Sequence, residues 1–116
     1  ISDMRFALLS ELSLKHEAGP ETESFRDVYV GDILSRAMNR IKPDVLWITV
    51  VGHINTVAVA SLSRTAAIIL ADGALLDENA RRAADREGIS VYSSGLDVFT
   101  LCRRIARIAD TAGDRQ

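Results

Sequence analysis

An apolar run in the sequence stops at Gly52 and is followed at once by His53, Asn55 and Thr56. Two further stretches place polar residues in the same setting: Asp72-Gly73 after Ala66–Ala71, and Ser93-Ser94 after Ile89–Tyr92. Val30-Gly31-Asp32 is a fourth. Imidazole, carboxylate and hydroxyl groups are the usual means of proton transfer and nucleophilic attack. His53, Asp72 and Ser94 would have to converge for such chemistry. Without convergence, each stretch reads as a strand that ends, turns on a glycine and enters a helix capped by a short polar side chain. For His53 the capping role is the expected one. His16 is the sole other histidine, and no H-x-x-x-H or H-x-E pattern occurs.

Several other chemistries lack their parts. The sequence contains no G-x-x-x-x-G-K-[ST], G-x-G-x-x-G or G-x-S-x-G segment. A single cysteine, Cys102, rules out an internal disulfide and a cysteine-rich zinc site. It lies on an apolar helical stripe and reads as a packing residue. No cofactor or metal is expected. Fourteen basic and 16 acidic residues give a net charge of −2 with no long block of either sign, which argues against nucleic-acid binding by bulk charge. Arg103, Arg104 and Arg107 form the densest basic group, explained by helical spacing as a solvated face. No apolar run approaches the ~20 residues that span a bilayer, and no leader is visible, so a cytoplasmic location is expected.

The elements that must position these residues follow from periodicity. Val45–Val51 is nearly all apolar and β-branched, as in a strand covered on both faces. Ala66–Ala71 and Ile89–Ser93 repeat the pattern, separated by helices at about 56–63 and 77–87, the second closed by Gly88. Leu96–Ala109 is a final amphipathic helix, and Thr111–Gln116 a flexible tail. Earlier in the chain, Phe6–Leu12 reads as a short helix and Leu14–Glu17 as a strand. Arg26–Val30 is another strand, opening into a helix with Ile33, Leu34, Ala37, Met38 and Ile41 on its apolar side. With 47% hydrophobic and 26% charged residues, the 116 residues make one domain. The alternation implies a three-layer α/β/α sandwich around a mostly parallel sheet of about five strands, with residues 26–110 as its core. All four polar junctions would then share the rim at the strand C-termini, where helix N-termini favour anions.

The order of these segments resembles the DRTGG domain family over Val28–Ile108. The resemblance is carried by Gly52-His53-Ile54-Asn55 with Ala58-Val59-Ala60, by Leu70-Ala71-Asp72-Gly73, by the helix Asp77–Glu87 closed by Gly88-Ile89-Ser90-Val91, and by Ser93-Ser94 with Asp97-Val98-Phe99. The segments Tyr29–Ser35, Leu46–Thr49 and Val57–Leu62 look closer to small stand-alone DRTGG proteins associated with iron-only hydrogenase genes. The fold is also similar to the N-terminal domain of HPr kinase, whose phosphate loop lies in a separate domain. Two departures stand out: the family's Asp-Arg is His53-Ile54, and its Thr-Gly-Gly is Ala71-Asp72-Gly73.

This resemblance implies a non-enzymatic regulatory or interaction module. Its implied partners are a second copy, a small anionic metabolite or nucleotide, and a hydrogenase-related protein. The expected ligand-binding residues are Gly52, His53, Asn55, Thr56, Asp72, Gly73, Ser93 and Ser94, and no residue is assigned a catalytic role. The alternative is an accessory enzyme acting on a phosphorylated or acylated metabolite at the same rim. The helix after Gly52, apolar nearly all round, needs cover on its outer side: a second copy, or the segment Phe6–Leu14 of the same chain.

Overall fold

The computed structural model describes residues 3–114. In chain order the elements are β1 (Met4–Arg5), a 3-10 helix (Phe6–Leu12), β2 (Lys15–Ala18), β3 (Ser24–Phe25), β4 (Asp27–Val30), α1 (Leu34–Arg40), β5 (Val45–Thr49), α2 (Ile54–Ser63), β6 (Ala67–Leu70), α3 (Glu78–Glu87), β7 (Val91–Ser93) and α4 (Val98–Asp114). The main sheet has five strands in the order β2-β7-β6-β5-β4. β4, β5, β6 and β7 are parallel, joined by α1, α2 and α3.

Every residue of β5 and β6 is buried. Their side chains alternate between two cores, as the two-residue period of a strand requires. Val45, Trp47, Ile68 and Leu70 pack under α1, α2 and α3, together with Val57, Val59, Ala60, Ala80 and Ala84. Leu46, Ile48, Ala67 and Ile69 face the other way, against Leu101 and Ile105 of α4 and Leu9 and Leu12 of the 3-10 helix. The expected three-layer sandwich with β5 inside the sheet is therefore the observed fold.

Three readings need correction. The short helix expected at Phe6–Leu12 is present, wound as a 3-10 helix. It lies on the α4 side, so it does not cover α2, whose outer residues Ala58 and Leu62 stay exposed. The strand expected at Leu14–Glu17 is β2, shifted by one residue and antiparallel to β7. Finally, α4 continues past Ala109 through Thr111 to Asp114, where a flexible tail was expected; Arg115 and Gln116 lie outside the described residues.

Between β2 and β4 the chain passes from one edge of the sheet to the other. It does so along the N-terminal ends of the parallel strands, pinned at intervals. Gly19 N–H donates to Asp85 Oδ1 (2.8 Å), Thr22 Oγ1 donates to the Ala66 carbonyl (2.9 Å), and Arg26 N–H donates to the Asp44 carbonyl (2.7 Å). Thr22 N–H donates to the Tyr92 hydroxyl (2.9 Å). Gly19 has φ of 72°, and a Cβ there would sit 1.9 Å from the Ile89 carbonyl oxygen. Backbone cannot yield at that distance, so Gly19→Ala should cost roughly 2–4 kcal/mol from strain and overpacking. Urea unfolding of the two proteins measures it, and equal midpoints would contradict the account.

Candidate functional site

The C-terminal ends of β4, β5, β6 and β7 form one rim, each followed by a turn into a helix or loop. At β4 the turn is locked to its neighbour. Asp32 Oδ1 accepts from Thr49 Oγ1 (2.7 Å) and from Val50 N–H (3.0 Å), while Trp47 Nε1–H donates to the Gly31 carbonyl (2.9 Å). Thr49 Oγ1 in turn accepts from Val51 N–H (3.3 Å).

His53 is the N-cap of α2. Its Nδ1 accepts from Asn55 N–H (3.1 Å), and its carbonyl accepts from Thr56 N–H (3.0 Å). The exposed imidazole thus serves the turn, as the sequence suggests. Thr56 sits in the first turn of α2, 1% exposed, and its Oγ1 is buried without a hydrogen-bond partner among the described residues. Buried polar atoms are nearly always satisfied, so this hydroxyl is the unusual group of the rim. Gly52 is explained by packing. Its carbonyl accepts from Asp77 N–H (2.9 Å), and a Cβ on it would lie 2.0 Å from the Leu75 carbonyl oxygen.

The loop after β6 joins the other two junctions. Asp72 and Gly73 both adopt left-handed backbone, with φ of 58° and 68°. Their N–H groups donate to the Leu96 carbonyl (2.7 Å) and the Ser94 carbonyl (3.0 Å). Aspartate tolerates that region better than most residues, and glycine does so freely. The structure thus brings 52–56, 72–77 and 94–96 side by side. It leaves Ser93 out of this row. The Ser93 hydroxyl donates to Glu17 Oε2 of β2 at 2.5 Å, while Ser94 Oγ accepts from Leu96 N–H (3.0 Å). Among the described residues, no hydrogen bond links the side chains of His53, Asp72 and Ser94.

Carboxylates dominate the rim. Asp77 Oδ1 accepts from Ala80 N–H (2.7 Å) and Asp97 Oδ1 from Thr100 N–H (2.8 Å), capping α3 and α4. The Thr100 N–H, the largest cause, and the Thr100 hydroxyl, which donates to Asp97 Oδ2 (3.0 Å), hold Asp97 below the ordinary aspartate range. Asp32 and Asp72 add further negative charge, with His53 as the nearby imidazole. Apolar side chains stand among them: Ile33 is 59% exposed, Leu75 86% and Phe99 75%, with Val30, Val50 and Ile54 less so. Among the described residues, no group of three His, Cys, Asp or Glu side chains could hold a metal ion. None of the described helices is long and apolar enough to cross a membrane.

A second polar cluster escaped the sequence reading. Glu17 is 13% exposed at its side chain and is held by the Ser93 hydroxyl and by Arg81 Nη2 (3.2 Å); Arg81 Nη1 also donates to the Glu17 carbonyl. Nothing local marks Glu17, because its partners lie 64 and 76 residues further on.

No protein-family model matches the sequence, and no curated protein matches it. Among solved structures, the chain is similar to the CBS and DRTGG domains of the regulatory region of Clostridium perfringens pyrophosphatase, crystallised with its activator diadenosine tetraphosphate. The TM-score is 0.71 at 18% identity, over 85% of this chain and 44% of that one. The chain thus spans less than half the length of that structure and shares its fold. The DRTGG-like architecture implied by the order of motifs is upheld at the level of fold.

The Glu17 cluster gives a signed pH dependence. The Ser93 hydrogen bond, the largest cause, and the Arg81 guanidinium together hold its carboxyl below the ordinary value of 4.5 against the opposing effect of burial. A lowered folded-state value stabilises the fold above that ordinary value, and the stabilisation is lost as pH falls through the folded one. Glu17→Gln should therefore lower the Tm at pH 7 and narrow the fall in Tm between about pH 5 and pH 3. Parallel Tm–pH curves for the two proteins would show that Glu17 does not contribute.

Proposed function

We propose that this chain is a regulatory module with no catalytic chemistry of its own, working as a homodimer and receiving a small ligand at the C-terminal rim. The observation that carries the reading is how the rim's reactive-looking groups are employed. His53, Asp77, Ser94 and Asp97 all accept backbone N–H groups, as caps and turn supports do. An accessory enzyme would need His53, Asp72 and Ser94 to meet. The shared fold supports the same reading, since the similar structure is a regulatory region bound to a nucleotide activator.

Charge narrows where an anionic ligand would go. Asp72, Asp77 and Asp97 oppose it across most of the rim. The turn Gly52–Thr56 contains no carboxylate, faces the ligand with the positive end of the α2 dipole, and holds the unpartnered Thr56 hydroxyl. Val50, Ile54 and Leu75 would meet the apolar part of a nucleotide. A hydrogenase-related protein partner rests on the resemblance to the small stand-alone proteins alone.

The dimer surface we assign is the outer side of α1 and α2, where Met38 is 51% and Leu62 74% exposed. Both sheet edges resist pairing between copies. Asp27 Oδ1 occupies the Val28 N–H on β4 (2.8 Å), and β2 carries an irregularity between His16 and Ala18.

Two measurements test this reading. Titration calorimetry with adenine nucleotides, diadenosine tetraphosphate included, should give binding that a His53→Ala, Asn55→Ala double variant weakens. Unchanged affinity, or a ligand seated beside Pro43 and Gly88, would remove the rim site. Sedimentation equilibrium should give twice the 12.7 kDa monomer mass, and Ala58→Glu should split the dimer without unfolding it. A clean monomer mass would reject association.

A further inference from the structure

On the other face of the sheet from α2, the 3-10 helix and α4 enclose an open hollow of about 270 Å³ lined by Glu11, Arg103, Arg104, Arg107 and Ile108. It runs on into a second of about 200 Å³, which shares Glu11, Arg107 and Ile108 and adds Leu8. Helical spacing puts Arg103 and Arg107 one turn apart with Arg104 beside them. Several other arginines are neutralised: Arg26 by Asp3, Arg81 by Glu17 and Glu78, Arg86 by Glu87. Among the described residues, no carboxylate comes within the 4.0 Å of an ion pair with Arg103, Arg104 or Arg107, although Glu11 lines the same hollow. A chain of net charge −2 thus gathers three exposed guanidinium groups on one concave surface.

We infer that this hollow is an anion site for a chain of phosphate groups, separate from the rim. Guanidinium forks bind phosphate oxygens in bidentate fashion, and three around one concavity match a polyphosphate better than an isolated carboxylate. Glu11 is the opposing charge inside the site and weakens it.

That opposition gives a test with two signs. Inorganic tripolyphosphate is titrated calorimetrically into the full chain at low salt. Binding is expected to weaken as salt rises, and by about tenfold or more in Arg107→Gln, the loss expected for a charge-assisted hydrogen bond. In Glu11→Gln it is expected to tighten by about two- to fivefold. Arg107 and Glu11 are both exposed, so circular dichroism melts should match wild type; Arg103→Gln and Arg104→Gln repeat the measurement if one does not. Absence of binding at millimolar tripolyphosphate would overturn the site. So would Glu11→Gln failing to tighten it, or Arg40→Gln at the far edge of the sheet weakening it equally. A glutamate-rich peptide binding more tightly than tripolyphosphate would overturn the phosphate assignment.

Discussion

A strand whose side chains are apolar on both faces has to be covered twice. β5 and β6 are such strands, buried throughout. The crossover helices α1, α2 and α3 all fall on one side, as right-handed connections made in one direction must. The second face can be covered only by chain from before the first crossover or after the last. It is covered by both: α4 closes one half, and the 3-10 helix with Leu9 and Leu12 closes the other. The passage of residues 19–26 beneath the sheet follows from that need, since β2 and β4 lie at opposite edges.

The rim shows how the same need shapes a candidate site. Parallel strands bring several helix N-termini to one end of the molecule, and each leaves N–H groups to satisfy. Here His53, Asp77 and Asp97 satisfy them from within the chain. Capping by aspartate stabilises each helix, and it also gives the rim a negative field. The two consequences are inseparable. A rim built this way is a poor receptor for a naked polyanion except at the α2 turn, where the cap is an imidazole.

The parallel part of the fold was legible because its signals are local. Val45-Leu46-Trp47-Ile48 can be covered on both faces and nowhere be exposed, and Gly88 ends α3 with φ of 70° as a C-cap glycine does. His53 as a turn residue was legible for the same reason. Long-range ties were not. The strand at Lys15–Ala18 was legible to within a residue, but its antiparallel pairing was not, because its partner β7 is the last strand of the chain among the described residues. Phe6–Leu12 has helical spacing, yet tertiary packing against Tyr92, with the Phe6 and Tyr92 ring centroids 4.6 Å apart, accompanies a tighter 3-10 winding. Of the candidate residues, Ser93 differs in setting from its neighbour because Glu17 reaches it across 76 positions.

The segment beneath the sheet also bears on the order of assembly. Its anchors are made late: Thr22 waits for Ala66 and Tyr92, which lie 44 and 70 residues further along. During synthesis Phe6, Leu9, Leu12 and Phe25 therefore emerge long before the surface that buries them exists. Closing loops of that span is entropically costly, and non-local contacts slow folding. The α1–α3 layer can condense on its strands as neighbouring crossovers, each contact close in sequence. Until that surface exists, the N-terminal residues are an apolar tether open to chaperones or to another chain.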